Sequence, residues 1–254
     1  MLQKGEETDA LYETLGTLLV QMGEYDGAEA AFVKAQFVTV NCLLNRAKIA
    51  IAKKEIAEAI GFCDQIERVS ENADEKAIAT LVRCKCLLMR SEAHSALRIL
   101  RSATSRFAID EPSPHIVGLL FGILSECHLA IGQHHNARKW ARKQLKIAIG
   151  ISSRTLEAEA LRNMSNICEA IEDHKNALTL WIKYDQLVQE DTLQVRLDSL
   201  KCLANLNESC AKISEAEQVL QKRLTLAKKV ASPSLIIDSH SDLIRFYRRQ
   251  KNEV

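Results

Sequence analysis

The sequence predicts an all-α fold, an α-solenoid of stacked antiparallel helix pairs. Three observations lead there. Only three prolines and nine glycines are spread over 254 residues, so few positions interrupt a helix. Leu, Ala, Glu, Lys and Gln recur at spacings of three and four, while Val, Ile and Thr nowhere alternate with polar residues over a long stretch. One arrangement of small and large residues recurs six times along the chain.

The first copy is LGTLLVQMGEYDGAEAAFVKA (15–35). Ala28, Phe32 and Ala35 share one helical face, and GEYDG (23–27) breaks the pattern between two helices. Anchoring alanines stand at 28, 59, 96, 137, 177 and 216, at spacings of 31, 37, 41, 40 and 39. Twelve residues before each stands a small residue: Gly16, Ala47, Cys84, Ser125, Ser165 or Ala204. Four residues after each stands Phe32, Cys63, Leu100, Ala141, Trp181 or Leu220. Small residues on both members let two antiparallel helices approach closely, and the side chain four later fills the space beside them.

The elements follow in order. Helix pairs are expected over 8–36, 41–70, 74–106, 115–150, 155–190 and 194–230. They belong to a single array over 1–254, with approximate repeats 8–40, 41–73, 74–110, 115–152, 155–192 and 194–232. DEPSP (110–114) and ASPS (231–234) are breaks before new helices. The final helix, 234–251, either caps the last pair or opens a seventh repeat. Four positions depart from the pattern. Arg46 and Arg83 replace a leucine before the small site, and Gln144 and Arg223 replace the last small residue of their repeats.

Leu15-Gly16, Gly23, Tyr25, Ala28, Phe32 and Ala35 resemble the tetratricopeptide (TPR) repeat. The later spacings, near 40, resemble the long repeats of the kinesin light chain and spindle-orientation scaffold branches of that family. The resemblance implies a right-handed superhelix whose concave surface is lined by the first helix of each pair. The residue after the small site then faces the groove: Thr17, Lys48, Lys85, Glu126, Asn166 and Asn205, with Arg245 next if a seventh helix continues. Three before the small site come Arg162 and Lys201, so Arg162/Asn166 and Lys201/Asn205 are i,i+4 pairs on one face. An amide can clamp a peptide backbone and a neighbouring cation can take a carboxylate. NMSN (163–166) resembles the Asn-Leu-Gly-Asn of the spindle-scaffold branch; within it Asn163 is expected to face helix packing. The alternative for these residues is a solvated polar helix face.

Other chemistry finds little support. Arg138, Lys139, Arg142, Lys143 and Lys146 surround Trp140 and form a possible basic surface, for which the plainer account is a solvated outer face. The eight cysteines are scattered on apolar positions and read as reduced, buried thiols. His128, His134 and His135 gather near one helix end, but no C-x-x-C or H-E-x-x-H is present, and His134 and His174 stand where Tyr25 stands in the first repeat. No metal, cofactor or catalytic residue is expected, since no phosphate loop, dinucleotide fingerprint or nucleophile elbow occurs. The N-terminus has no apolar signal core, and the longest apolar run, 116–124, is too short to span a bilayer. An intracellular chain, cytoplasmic or nuclear, is therefore expected.

Three functional readings result. One is a non-catalytic scaffold that binds a protein or peptide partner of acidic character in the groove, with no small-molecule substrate and no membrane insertion. The second is a structural subunit or spacer joined through its second helices or its ends. The third is a nucleic-acid-associated adaptor using the patch at 138–146.

Overall fold

The computed structural model describes residues 2–35, 39–110, 112–229 and 232–252, with side chains over 8–35, 39–104, 112–229 and 232–251. Thirteen α-helices and no strand occur among the described residues. They are α1 (Leu2–Met22), α2 (Tyr25–Lys34), α3 (Val40–Ala52), α4 (Ile56–Val69), α5 (Ala73–Met89), α6 (Ala93–Asp110), α7 (Pro114–Ala130), α8 (His134–Gly150), α9 (Arg154–Ala170), α10 (His174–Leu187), α11 (Leu193–Ser209), α12 (Ile213–Lys229) and α13 (Pro233–Asn252). The first helix begins at Leu2, ahead of the expected residue 8. Proline opens both α7 and α13, where its missing N–H would be unpaired in any case. Glu111 and Ala231, from the two expected breaks, lie outside the described residues.

The chain divides into two compact units, Met1–Trp140 and Ala141–Val254, with the division inside α8. In the first, α1/α2, α3/α4 and α5/α6 pair, α5 packs on α4, and α7 packs on α5 and α6. In the second, α9/α10 and α11/α12 pair, α11 packs on α10, and α13 packs on α12.

The recurrent small residues are the contact between paired helices. All six anchoring alanines are 0 % exposed. The small residue twelve earlier is buried in every repeat. In three repeats it also donates a hydrogen bond to the alanine carbonyl. Ser125 Oγ reaches Ala137 O at 2.9 Å, Ser165 Oγ reaches Ala177 O at 3.0 Å, and Cys84 Sγ lies 3.8 Å from Ala96 O. Gly16 permits the closest approach, since a Cβ there would stand 2.7 Å from the Phe32 ring.

The turn inside each pair repeats as well. Five residues before each anchoring alanine the backbone is left-handed: Gly23, Lys54, Ser91, Gly132, Glu172 and Ala211, with φ between 58° and 80°. The following N–H returns to a carbonyl five residues back, as in Glu55 N to Ala50 O at 2.8 Å and Asp173 N to Cys168 O at 2.8 Å. This is the Schellman closure of a helix C-terminus. Tyr25, His134 and His174 each open the helix that follows.

Helix α1 differs from its counterparts. Leu11, Leu15, Leu18 and Met22 form one apolar stripe and are 69, 47, 51 and 71 % exposed. The residues equivalent to Leu18 are Ile49, Cys86, Cys127, Ile167 and Leu206, and all are buried. An earlier helix packs alongside α3, α5, α7 and α11, whereas α2 and α3, which pack on α1, leave this stripe exposed.

Candidate functional site

The four departures from the repeat pattern are polar ties between neighbouring helices. Arg46 lays its guanidinium over the Phe62 ring, 4.6 Å from the centroid. Arg83 forms ion pairs with Asp64 and with Glu67, the latter at 3.2 Å. Gln144, fully buried on α8, accepts a hydrogen bond from Asn163 Nδ2 on α9 at 3.1 Å. Asn163 therefore faces helix packing, as expected. Arg223, buried on α12, donates to Leu197 O and to Ser239 Oγ, each at 3.0 Å, and pairs with Asp242 on α13.

Asp242 organises the candidate site in the second unit. Its Oδ2 lies 2.9 Å from Arg223 Nη1, although that nitrogen aims a hydrogen at Ser239. Its Oδ1 faces Lys201 Nζ at 3.1 Å and Arg245 Nη1 at 3.7 Å. Lys201 and Arg245, expected as groove cations, both face this buried carboxylate. One turn along α13, Arg249 holds Glu208 with two hydrogen bonds, Nε at 2.9 Å and Nη2 at 2.7 Å. These residues, with Asn205, Ala204 and Leu220, line a recess of about 130 Å³. Asn205 is exposed at its mouth.

The sequence-derived residues are thus partly gathered. Lys201, Asn205 and Arg245 meet in one recess. Asn166 is exposed on α9, and Arg162, one turn earlier, is half-buried near the Tyr184 hydroxyl and Cys202, on whose ionisation its charge acts. Lys48 and Lys85 belong to the first unit and are exposed, with Lys48 Nζ 3.4 Å from Asn45 Oδ1. Asp242, Glu208 and Arg249 were missed. The available signal was Arg223: an arginine at a position otherwise buried demands a carboxylate partner.

The basic residues of α8 differ in exposure. Arg138 is half-buried, Lys139 lines a recess with Trp140 in the first unit, and Arg142, Lys143 and Lys146 are exposed in the second. Burial pushes the Cys63, Cys84 and Cys127 thiols up to about 12 and Cys202 to about 11. Among the described residues, no three His, Cys, Asp or Glu side chains are placed to hold a metal, and no helix is long and apolar enough to cross a membrane.

Similarity to known proteins lies in the fold. No family model and no curated protein matches the chain. Among solved structures, kinesin light chain TPR-like repeats from Podosopora anserina align over 72 % of this chain and 90 % of theirs, with TM-score 0.62 and 15 % identity. A Rap protein complexed with competence and sporulation factor aligns over 96 % and 88 %, with TM-score 0.66 and 12 % identity. NprR in complex with its cognate peptide NprX aligns over 96 % and 73 %, with TM-score 0.66 and 14 % identity. The chain has the TPR-type fold, an all-α solenoid of stacked helix pairs.

Proposed function

We propose that this chain is a non-catalytic protein-interaction scaffold, and that the α11/α13 face holds an acidic segment of a partner protein. The observation that carries the reading is the recess itself. Lys201, Arg245 and Arg249 rim it, Asn205 stands at its mouth, and the carboxylates of Asp242 and Glu208 hold the cations in place. Cations fixed before binding lose less side-chain entropy when a carboxylate arrives. Asn205 can donate to and accept from a peptide backbone beside them. Asn166 extends the same chemistry onto α9. Two of the solved neighbours are complexes, of Rap with competence and sporulation factor and of NprR with a cognate peptide, which supports a recognition role.

The test is fluorescence-polarisation screening of labelled acidic peptides against the wild type and the Asn166→Ala/Asn205→Ala variant. Binding should weaken at least about tenfold in the variant while its circular dichroism stays native. Equal affinity for every peptide bound by the wild type would remove the reading. A second reading, a subunit of a larger assembly, is favoured by the exposed apolar stripe on α1. It predicts that Leu15→Lys/Leu18→Lys abolishes assembly and leaves peptide affinity unchanged.

A further inference from the structure

Helix α1 carries an apolar stripe that the candidate recess does not use. Leu11, Leu15, Leu18 and Met22 are all exposed. Their spacing, 4, 3 and 4, is that of the a and d positions in a seam between two helices. Elsewhere in the chain the same face is a packing face: the residues equivalent to Leu18 in α3, α5, α7, α9 and α11 are buried.

Charge decides what fits the stripe. From Ala10 to Gly23, Glu13 is the only charged residue. It projects from the opposite side of α1, where it accepts hydrogen bonds from Thr39 Oγ1 and Asn41 Nδ2, each at 2.8 Å. Thr14 and Gln21 flank the stripe on one side and Tyr12 on the other. Lys34 of α2 is held over the Tyr12 ring, 5.8 Å from its centroid. A lipid surface calls for lysine or arginine along the edge of an apolar helix face, and α1 has neither from Leu11 to Met22. A strongly charged partner helix finds no countercharge on these flanks. A second copy of the same helix does fit. A two-fold axis sets a surface against itself, so any charge there meets its like, and this stripe has none to meet.

We propose that two copies of this chain associate through α1, antiparallel about a two-fold axis, with Leu15 of one copy facing Leu18 of the other. This rests on the subunit reading given above and names its partner. The seam is short, about 18 Å of helix, and pairing it buries less than about 1,200 Å² in all. Interfaces of that size are transient, so dimer and monomer exchange.

Sedimentation velocity of the full chain tests the assignment. Between about 1 and 300 µM protein the mean mass should rise from monomer toward dimer, with a dissociation constant of about 10–100 µM. Leu15→Lys/Leu18→Lys and Leu15→Glu/Leu18→Glu should each stay monomeric with native circular dichroism. Mixing these two variants should restore a one-to-one dimer, because the lysines of one copy face the glutamates of the other. Ile237→Lys/Ile244→Lys, at exposed apolar positions on α13, should leave dimerisation unchanged. A wild type that stays monomeric throughout overturns the inference. So does a dimer that survives both α1 variants, or a mixture of the two that stays monomeric. If a monomeric wild type binds a different protein that Leu15→Lys/Leu18→Lys does not, the second copy is excluded while the subunit reading stands.

Discussion

Arg223 Nη1 lies 2.9 Å from Asp242 Oδ2, and both side chains are buried. The two residues stand nineteen apart in sequence, Arg223 on α12 and Asp242 in the middle of α13. Gln144 and Asn163 stand at the same separation and hydrogen-bond at 3.1 Å between α8 and α9. Where a second helix gives up this small residue for Gln144 or Arg223, the next helix supplies a polar partner nineteen residues on. The Arg223 pair additionally reaches the surface, because Asp242 passes its charge to Lys201 and Arg245 in the candidate recess.

Removing Asp242 should therefore be costly. Asp242→Ala leaves the Arg223 guanidinium buried without its carboxylate and should destabilise the protein by about 3–5 kcal/mol in urea unfolding. Replacing both residues by leucine should recover most of that loss. Lys201→Ala, which removes a half-exposed cation and leaves Asp242 paired with Arg223, should cost less than about 1 kcal/mol. A single Asp242 variant within about 1 kcal/mol of the wild type would contradict this account.

The small sites predict a steric effect. Ser165 is fully buried against the Ala177 carbonyl, so Ser165→Leu has no space to occupy and should cost about 1–3 kcal/mol or more. Ser165→Ala should lose only the hydrogen bond, about 1 kcal/mol. Equal losses in the two variants, measured by thermal unfolding, would show that close helix approach is not required there.

The thiols predict a pH window. Burial raises Cys63, Cys84 and Cys127 to about 12 and Cys202 to about 11, from an ordinary value of 9.0. The unfolded chain then releases these protons first as pH rises. Stability should be level through neutral pH, fall above about pH 9, and keep falling until the folded thiols ionise near 11–12. At pH about 8, iodoacetamide should label half-buried Cys210 first, and all eight cysteines only in denaturant. Rapid native labelling of Cys63 would overturn the packing described for α4.

The left-handed turn predicts a residue preference. Glu172 adopts φ 61°. Glu172→Gly should be at least as stable as the wild type, while Glu172→Val should lose about 1–2 kcal/mol, because a branched Cβ clashes in this region. Equal melting temperatures for the two variants would argue against that backbone.

Much of the fold could be read before any coordinates. The alanine spacing anticipated helices paired in series, and the small residue twelve earlier located their contact, because close packing of two helices tolerates few side chains at its centre. Asn163 was correctly assigned to packing. The six left-handed turn positions were not legible as a set: glycine marks only Gly23 and Gly132, and Lys54, Ser91, Glu172 and Ala211 carry no compositional trace of their conformation. Leu15, which matches the repeat motif in the sequence, is 47 % exposed on α1.

The amino-acid order by itself determined the helices, their pairing and the residue types on the candidate face, since periodicity and side-chain size act locally and within one hairpin. Only the tertiary structure decided which of those polar residues are engaged. Lys201, Arg223 and Arg245 lie on three different helices, and the carboxylate that joins them becomes visible only when α11, α12 and α13 are packed together. Charge pairing depends on distances across the chain that no spacing along it encodes, whereas burial of an arginine at an otherwise apolar position makes such a partner necessary.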